Sequence, residues 1–125
     1  MAIVRSQQYV FEYANPRYLE LFPDRELLGH SVLEIIPEAA EQGFIGLLDQ
    51  VYLTGTSYYG KEVLLHIHRR DTGKTEEVYL DFTYQAFREN VQIVGISCFA
   101  FDVTELVRTR KKLETLTELL PPTAS

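Results

Sequence analysis

"VQIVGISCFAFDVTELVRTRKKLETLTELL", Val91 to Leu120, is written in two periods. As far as Phe101 the pattern repeats every two residues, as in a strand with two unlike faces. From Asp102 it is helical. Asp102 with Glu105 three residues later reads as a capping box, in which the Asp side chain accepts the later backbone N–H and the Glu side chain accepts the earlier one. Leu106, Leu113 and Leu120 then recur every seven residues with Thr109 and Leu116 between them, a short coiled-coil stripe. Pro121 and Pro122 end it, and "PPTAS" reads as a linker or the end of the chain.

Upstream, "SYYGKEVLLHIHR" and "EEVYLDFTYQAF" share the two-residue period. "RDTGK" joins them, with Asp71 and Gly73 as turn residues, and "RENV" leads into the last strand. Three antiparallel strands in a meander follow. Alternation puts Leu80, Phe82, Tyr84 and Ala86 on one face and Tyr79, Asp81, Thr83 and Gln85 on the other. Before them, Phe44, Leu47, Leu48, Val51 and Tyr52 form one helical stripe, which predicts a helix from about Glu41 to Thr54 with Gly55 as its C-cap. "PDRELLGHS" and "VLEIIPEAA" predict two short helical turns, the second ended near Pro37. "YVFEYANPRYLELF", Tyr9 to Phe22, changes from strand to helix. Tyr9, Phe11 and Tyr13 alternate, Asn15 is placed to cap, Pro16 suits a first helical turn, and Tyr18, Leu19 and Phe22 share a face. The early strands around Ile3 and Tyr9–Ala14 must pair with the later three.

The 125 residues, 46% hydrophobic and 24% charged, suffice for one domain with one core. Seven Phe and eight Tyr supply enough bulk for either a filled or a ligand-lined interior. A net charge of -6, with basic residues gathered only in "RTRKK" (Arg108 to Lys112), predicts no nucleic-acid partner. Cys98, the single cysteine, excludes an intrachain disulfide and a thiolate metal cluster. The opening "MAIVRSQQYV" lacks the marks of a signal peptide, and no run approaches the ~20 apolar residues of a membrane span. A cytoplasmic location without direct membrane insertion is expected.

The order of these elements resembles the PAS domain, of the type found as the sensor module of bacterial sensor histidine kinases. "YANPRYLELF" is similar to that family's strand-to-helix segment, "LLGHSVLEIIPE" to its connector, "GFIGLLDQVYLTGTSYYGKE" to its long helix and next strand, and "VGISCFAFDVTELVRTRKKLE" to its last strand and exit. The resemblance covers nearly all of residues 9–114. It implies an α+β fold: a five-stranded antiparallel sheet with short helices on one face and a C-terminal exit helix. It also implies a sensor domain over 1–104, an amphipathic signalling helix over 105–120 and a linker over 121–125. The module would do no chemistry itself and would relay a ligand or partner signal through Asp102-Val103-Thr104 to a kinase domain in the same parent chain, with Asp102 and Thr104 as relay residues.

The same alignment turns Ile96, Cys98 and Ala100 inward and leaves Phe99 and Phe101 on the outer face, where a partner subunit or flanking helix would cover them. Expected pocket residues are Ile36, Phe44, Leu48, Tyr52, His66, Leu80, Phe82, Tyr84, Ile96 and Cys98. Expected homodimer contacts are Phe99, Phe101, Leu106, Leu113, Leu116 and Leu120. His66 and His68 share a strand face without a third ligand nearby, and the helix Glu41–Thr54, from which haem-binding relatives present their ligand, has no His. No asparagine-cysteine motif precedes that helix, so neither haem nor a photoactive flavin is indicated; no metal is expected, and the cofactor, if there is one, is unknown. Two rivals stand beside the sensor: a ligand-free dimerisation scaffold, and a small enzyme using Asp81 or His66 in a cavity.

Overall fold

The computed structural model describes residues 1–119. Two strands, β1 (Ala2–Arg5) and β2 (Val10–Ala14), lead into helices α1 (Pro16–Leu19), α2 (Val32–Ile35), α3 (Pro37–Glu41) and α4 (Phe44–Thr54). Strands β3 (Tyr58–His68), β4 (Thr75–Glu89) and β5 (Gln92–Asp102) follow, then α5 (Thr104–Leu119). All pairings are antiparallel, in the order β2-β1-β5-β4-β3. The five-stranded α+β fold is the one expected. Pro121, Pro122 and Leu120 lie outside the described residues.

Local chemistry sets most boundaries. The Asn15 side chain accepts the Tyr18 backbone N–H at 2.9 Å, and Pro16 opens α1, where its missing donor costs nothing. Ser31 caps α2 in the same way, accepting from Glu34 N–H at 3.1 Å. Gly55 ends α4 with φ 75°, its N–H on the Val51 carbonyl at 2.8 Å. At its other end α4 starts later than predicted. Gly43, at φ 89°, interrupts the helical path, so Pro37–Glu41 forms a helix of its own. Pro37 therefore opens a helix instead of closing one, while "PDRELLGHS" forms turns and no helix.

Packing overrides alternation in β2. Ile3 pairs with Tyr13 but Val4 pairs with Phe11, which leaves Glu12 unopposed in a bulge. The extra residue shifts the phase: Phe11 is buried, whereas Tyr13 turns outward and is 47% exposed. On β4 the predicted faces hold, with Leu80 and Phe82 in the core and Tyr84 and Ala86 packed against it. The core lies between this inner face and helices α1 to α4. Among the described residues no helix is long and apolar enough to cross a membrane.

The exit helix departs from the capping box. Glu105 is exposed and comes only within 3.8 Å of Arg108, while the Asp102 carboxylate accepts the Thr104 backbone N–H at 2.9 Å. Val107, absent from the leucine pattern, is the buried apolar side chain of α5 among those described.

Candidate functional site

Between the inner sheet face and the short helices lies a cavity of about 40 Å3. Phe11 from β2, Tyr18 from α1, and Leu21 and Phe22 just beyond it form one side; Val32, Ile36, Ala39, Phe44 and Leu48 form the roof. Leu65, Leu80, Phe82, Tyr84, Cys98 and Ala100 form the sheet wall. Phe82 is central. Its ring lies 5.4 Å from Phe44, 5.7 Å from Tyr58 and 4.8 Å from Tyr84 by centroids. Gly60, opposite it on β3, leaves it room, since a Cβ there would come within 2.3 Å of the ring.

Seven of the ten expected pocket residues line this cavity: Ile36, Phe44, Leu48, Leu80, Phe82, Tyr84 and Cys98. Three do not. Tyr52 turns to Tyr9, edge to face at 6.2 Å. Ile96 is sealed in the sheet centre between Val4 and Ala86 at 0% exposure. His66 faces the other way: Leu65 and Ile67 take the inner positions, and the His66 backbone exchanges two 2.8 Å hydrogen bonds with the Gln42 side chain. Tyr18 and Phe22 were legible as one helical face, but nothing in their spacing brings them over β5.

No charged side chain lines the cavity. Burial pushes the Cys98 thiol up to about 12, against a smaller pull from the N-terminal ammonium, so it is a protonated, inert group. Burial likewise raises the Tyr18 and Tyr84 phenols well above their ordinary value. A nucleophile with a base beside it is absent among the lining residues. Asp81, the other carboxylate considered for chemistry, serves the backbone: it accepts the Glu62 N–H at 2.8 Å, steadying a β3 bulge in which Glu62 holds φ 50°.

At the rim of the sheet the chain passes into α5 through side-chain hydrogen bonds. Val103 N–H still reaches the Tyr79 carbonyl at 2.8 Å, as a last rung of the ladder. Next, the Thr104 hydroxyl replaces a backbone carbonyl, accepting the Tyr79 N–H at 3.0 Å while donating to Asp102. Tyr79 is the outward neighbour of Leu80, which lines the cavity. One covalent step and one hydrogen bond therefore separate the cavity wall from the helix start. Further along α5, Lys111 donates to the Tyr79 hydroxyl at 2.9 Å, and Arg110 grips Glu62 with bonds of 2.6 and 2.9 Å. Leu106, Leu113 and Leu116 fall on the opposite side of α5 and are 62%, 59% and 58% exposed. Phe101 is 56% exposed on the outer sheet face, and Phe99 is half-buried.

The sequence reading missed a third cluster. Arg25 and Glu38, both in the short-helix wall, form a buried two-pronged pair at 2.9 and 2.5 Å. Arg25 also donates to the carbonyls of His68 at 2.6 Å and Ile35 at 3.2 Å, and Glu38 accepts the His68 N–H at 2.9 Å. Burial would raise the Glu38 carboxyl, but the Arg25 and backbone hydrogen bonds overcome it and hold it at about 2. The pair pins the cavity wall to the end of β3.

A family model described as the PAS fold matches residues 1–108. This chain is a PAS domain. Among solved structures, the PAS domain is similar to VqmA bound to DPO, at 24% identity and TM-score 0.60, over 82% of this chain and 52% of that one. It is also similar to the Vibrio cholerae VqmA dimer without its target DNA, described as a LuxR-type receptor, at 25% identity and TM-score 0.61 over 85% and 48%. A third likeness is to an RNA-binding light-oxygen-voltage receptor, at 20% identity and TM-score 0.62 over 94% and 33%. The chain spans about half the length of the VqmA chains and a third of the RNA-binding one.

These likenesses correct one expectation. The absence of a nucleic-acid partner was argued from net charge, yet the similar structures belong to DNA- and RNA-binding receptors. Net charge describes the surface of this PAS domain alone and carries no information on what a neighbouring domain would bind. PAS domains are in general sensory and non-catalytic, and the similar proteins are receptors.

Proposed function

We propose that this PAS domain senses a small molecule in the cavity and passes the signal through Asp102, Val103 and Thr104 to α5. The observation that supports this most directly is the Thr104 hydroxyl on the Tyr79 N–H, beside cavity residue Leu80. A ligand pressing on Leu80 or Phe82 would move β4, and the start of α5 would follow. Only a ligand that binds two arrangements of this junction unequally can shift the output.

For the output we favour a nucleic-acid-binding domain, as in the receptors whose structures are similar. A histidine kinase core is the second reading and rests on the "DVTE" exit alone. On either, Leu106, Leu113, Leu116 and Phe101 supply an apolar surface on which a second copy would pair, since two heptads alone gain too little to stand as an isolated helix. Leu120, in the same repeat, lies outside the described residues.

The deciding experiment is the mass of the freshly purified chain under native and then denaturing conditions. Extra mass that departs on denaturation supports the sensor. A chain of bare mass, with the cavity at its present 40 Å3, favours the ligand-free scaffold instead.

A further inference from the structure

The wall of the cavity is not equally thick all round. Its lining residues are buried except Leu21, Tyr84 and Ala100, which are half-buried. Tyr84 sits inside the sheet, between Tyr58 and Cys98 in register, with its ring centroid 4.8 Å from that of Phe82. Leu21 and Ala100 are placed differently. Both also line a second hollow, an outer cleft of about 260 Å3 whose other walls are Arg17, Glu20, Phe101 and Asp102. The two residues are therefore a partition, with the cavity on one side and the cleft on the other.

A further outer groove meets the cavity lining at Phe22. That side is locked. Phe22 is 4% exposed, and the Arg25 guanidinium lies 5.7 Å from its ring centroid, itself clamped by buried Glu38. Leu21 is held more lightly. It follows the four-residue helix α1 in a turn, where its N–H donates to the Tyr18 carbonyl at 3.1 Å and its own carbonyl accepts from Arg69 at 3.2 Å. Neither bond fixes the side chain, and a helix of one turn has little stability of its own to lose when the segment shifts. Ala100 adds a single methyl group, so Leu21 supplies most of the partition's bulk.

Strand geometry links this partition to the relay. Cys98, Ala100 and Asp102 alternate along one face of β5. Cys98 lines the cavity, Ala100 lines cavity and cleft both, and Asp102 lines the cleft, where its carboxylate also accepts from Thr104.

We infer that small uncharged molecules enter the cavity between α1 and the end of β5, through a gap that the Leu21 side chain closes, directly beside Asp102. This rests on the sensor reading above and gives it a point of entry. No charged residue lines the cavity behind the gap, so an ion passing Arg17, Glu20 and Asp102 would lose its water without finding a partner inside. A molecule held in the gap would lie beside the carboxylate that holds Thr104, which joins entry to output.

Cys98 reports entry, because it is the single cysteine and lies on the cavity's sheet wall. Methyl methanethiosulfonate, small and uncharged, forms a disulfide between Sγ and its methylthio sulfur; methanesulfinate leaves with the bonding electrons and the thiol proton goes to solvent. The rate of labelling is read by mass on the whole chain across low urea. Opening a gap exposes little surface and gives a rate nearly flat in urea, whereas global unfolding gives one that climbs with the full slope of the equilibrium transition. The wild type is expected to be flat. Leu21→Ala should raise the flat rate about tenfold, as about half of a leucine's burial energy is lost from the closed state. Leu21→Phe should lower it. Leu48→Ala, which empties the roof and does not line the cleft, should leave it unmoved; if that variant does not fold, the opposed pair at Leu21 still decides. A wild-type rate that climbs with the full slope overturns the inference, as does a flat rate that ignores both Leu21 substitutions or that Leu48→Ala raises as much as Leu21→Ala. The sensor reading fails separately. Extra mass under native conditions beside a steep rate would leave sensing intact and sink the gate, while a flat, Leu21-dependent rate on a chain of bare mass would keep the gate and remove the cargo.

Discussion

Arg25–Glu38 and Arg110–Glu62 are both two-pronged arginine–glutamate pairs, and each ties a helical segment to the β3 region. The first has side chains 2% and 1% exposed; the second, 48% and 22%. Burial makes them different devices. Around Arg25–Glu38 further hydrogen bonds run to backbone groups of His68 and Ile35, so the charges are held in a fixed frame away from water, with Arg25 Nε alone left without a hydrogen-bond partner among the described residues. Arg110–Glu62 stays in contact with solvent, which competes for both partners and screens them. The pair that holds the cavity wall is thus rigid, and the pair that holds the exit helix is easily released. A relay needs that inequality, since its input must keep shape while its output moves.

The largest effect expected from breaking this contrast is at Glu38. Glu38→Ala strands the buried Arg25 charge and should destabilise the domain by about 3–5 kcal/mol in urea unfolding. The double change Arg25→Met/Glu38→Leu should recover most of that loss, because removing both charges also removes their desolvation cost. A double variant as unstable as the single one would show that the pair's geometry, and not its electrostatics, matters.

Acid should act on the same pair. The Glu38 carboxyl is held at about 2 in the fold against its ordinary 4.5, so the unfolded chain takes up the proton first as pH falls. Its contribution is whole above about pH 4.5 and lost on descent toward about 2. Thermal melts across that window should fall more steeply for the wild type than for the Arg25→Met/Glu38→Leu variant; parallel curves would remove Glu38 from the acid response.

At the junction, Thr104→Val keeps the side chain's shape but leaves the Tyr79 N–H without an acceptor and Asp102 without the hydroxyl. About 1–3 kcal/mol should be lost, with faster hydrogen exchange at the Tyr79 amide. Unchanged exchange there would separate α5 from the cavity wall. The smallest effect belongs to the exposed pair. Arg110→Ala should leave the melting temperature nearly unmoved and should not differ from wild type at about 1 M salt, where screening reaches about 3 Å. A salt-resistant loss would mean that α5 is clamped as firmly as the cavity wall.

How much of this could be read in advance depends on the distance over which each feature is specified. Asn15 before Pro16, Gly55 after the α4 stripe and Gly73 in its hairpin act within four residues, and each was legible. The β4 faces were legible because Leu80, Phe82 and Tyr84 alternate without interruption. On β3 the run Val63-Leu64-Leu65 has no phase of its own, and His66 was placed inward by mistake. The bulge at Lys61 and Glu62 and the pairing of Leu65 with Val78 fix the phase from a different strand. Tyr13 departs from its alternation with Tyr9 and Phe11 for the same reason, through the Glu12 bulge.

By itself, then, the sequence determined the order of the strands and of α1, α4 and α5, the caps at Asn15 and Gly55, the meander, most of the central core and the resemblance to the PAS family, because propensity and periodicity act between near neighbours. Tertiary structure alone decided which residues meet across the cavity and which ion pair is buried. Arg25 finds Glu38 thirteen residues away and His68 forty-three away. Tyr18 and Tyr84, sixty-six positions apart by their numbers, are brought to one cavity. Such meetings depend on register, bulges and the packing of short helices, none of which any local stretch of the chain encodes.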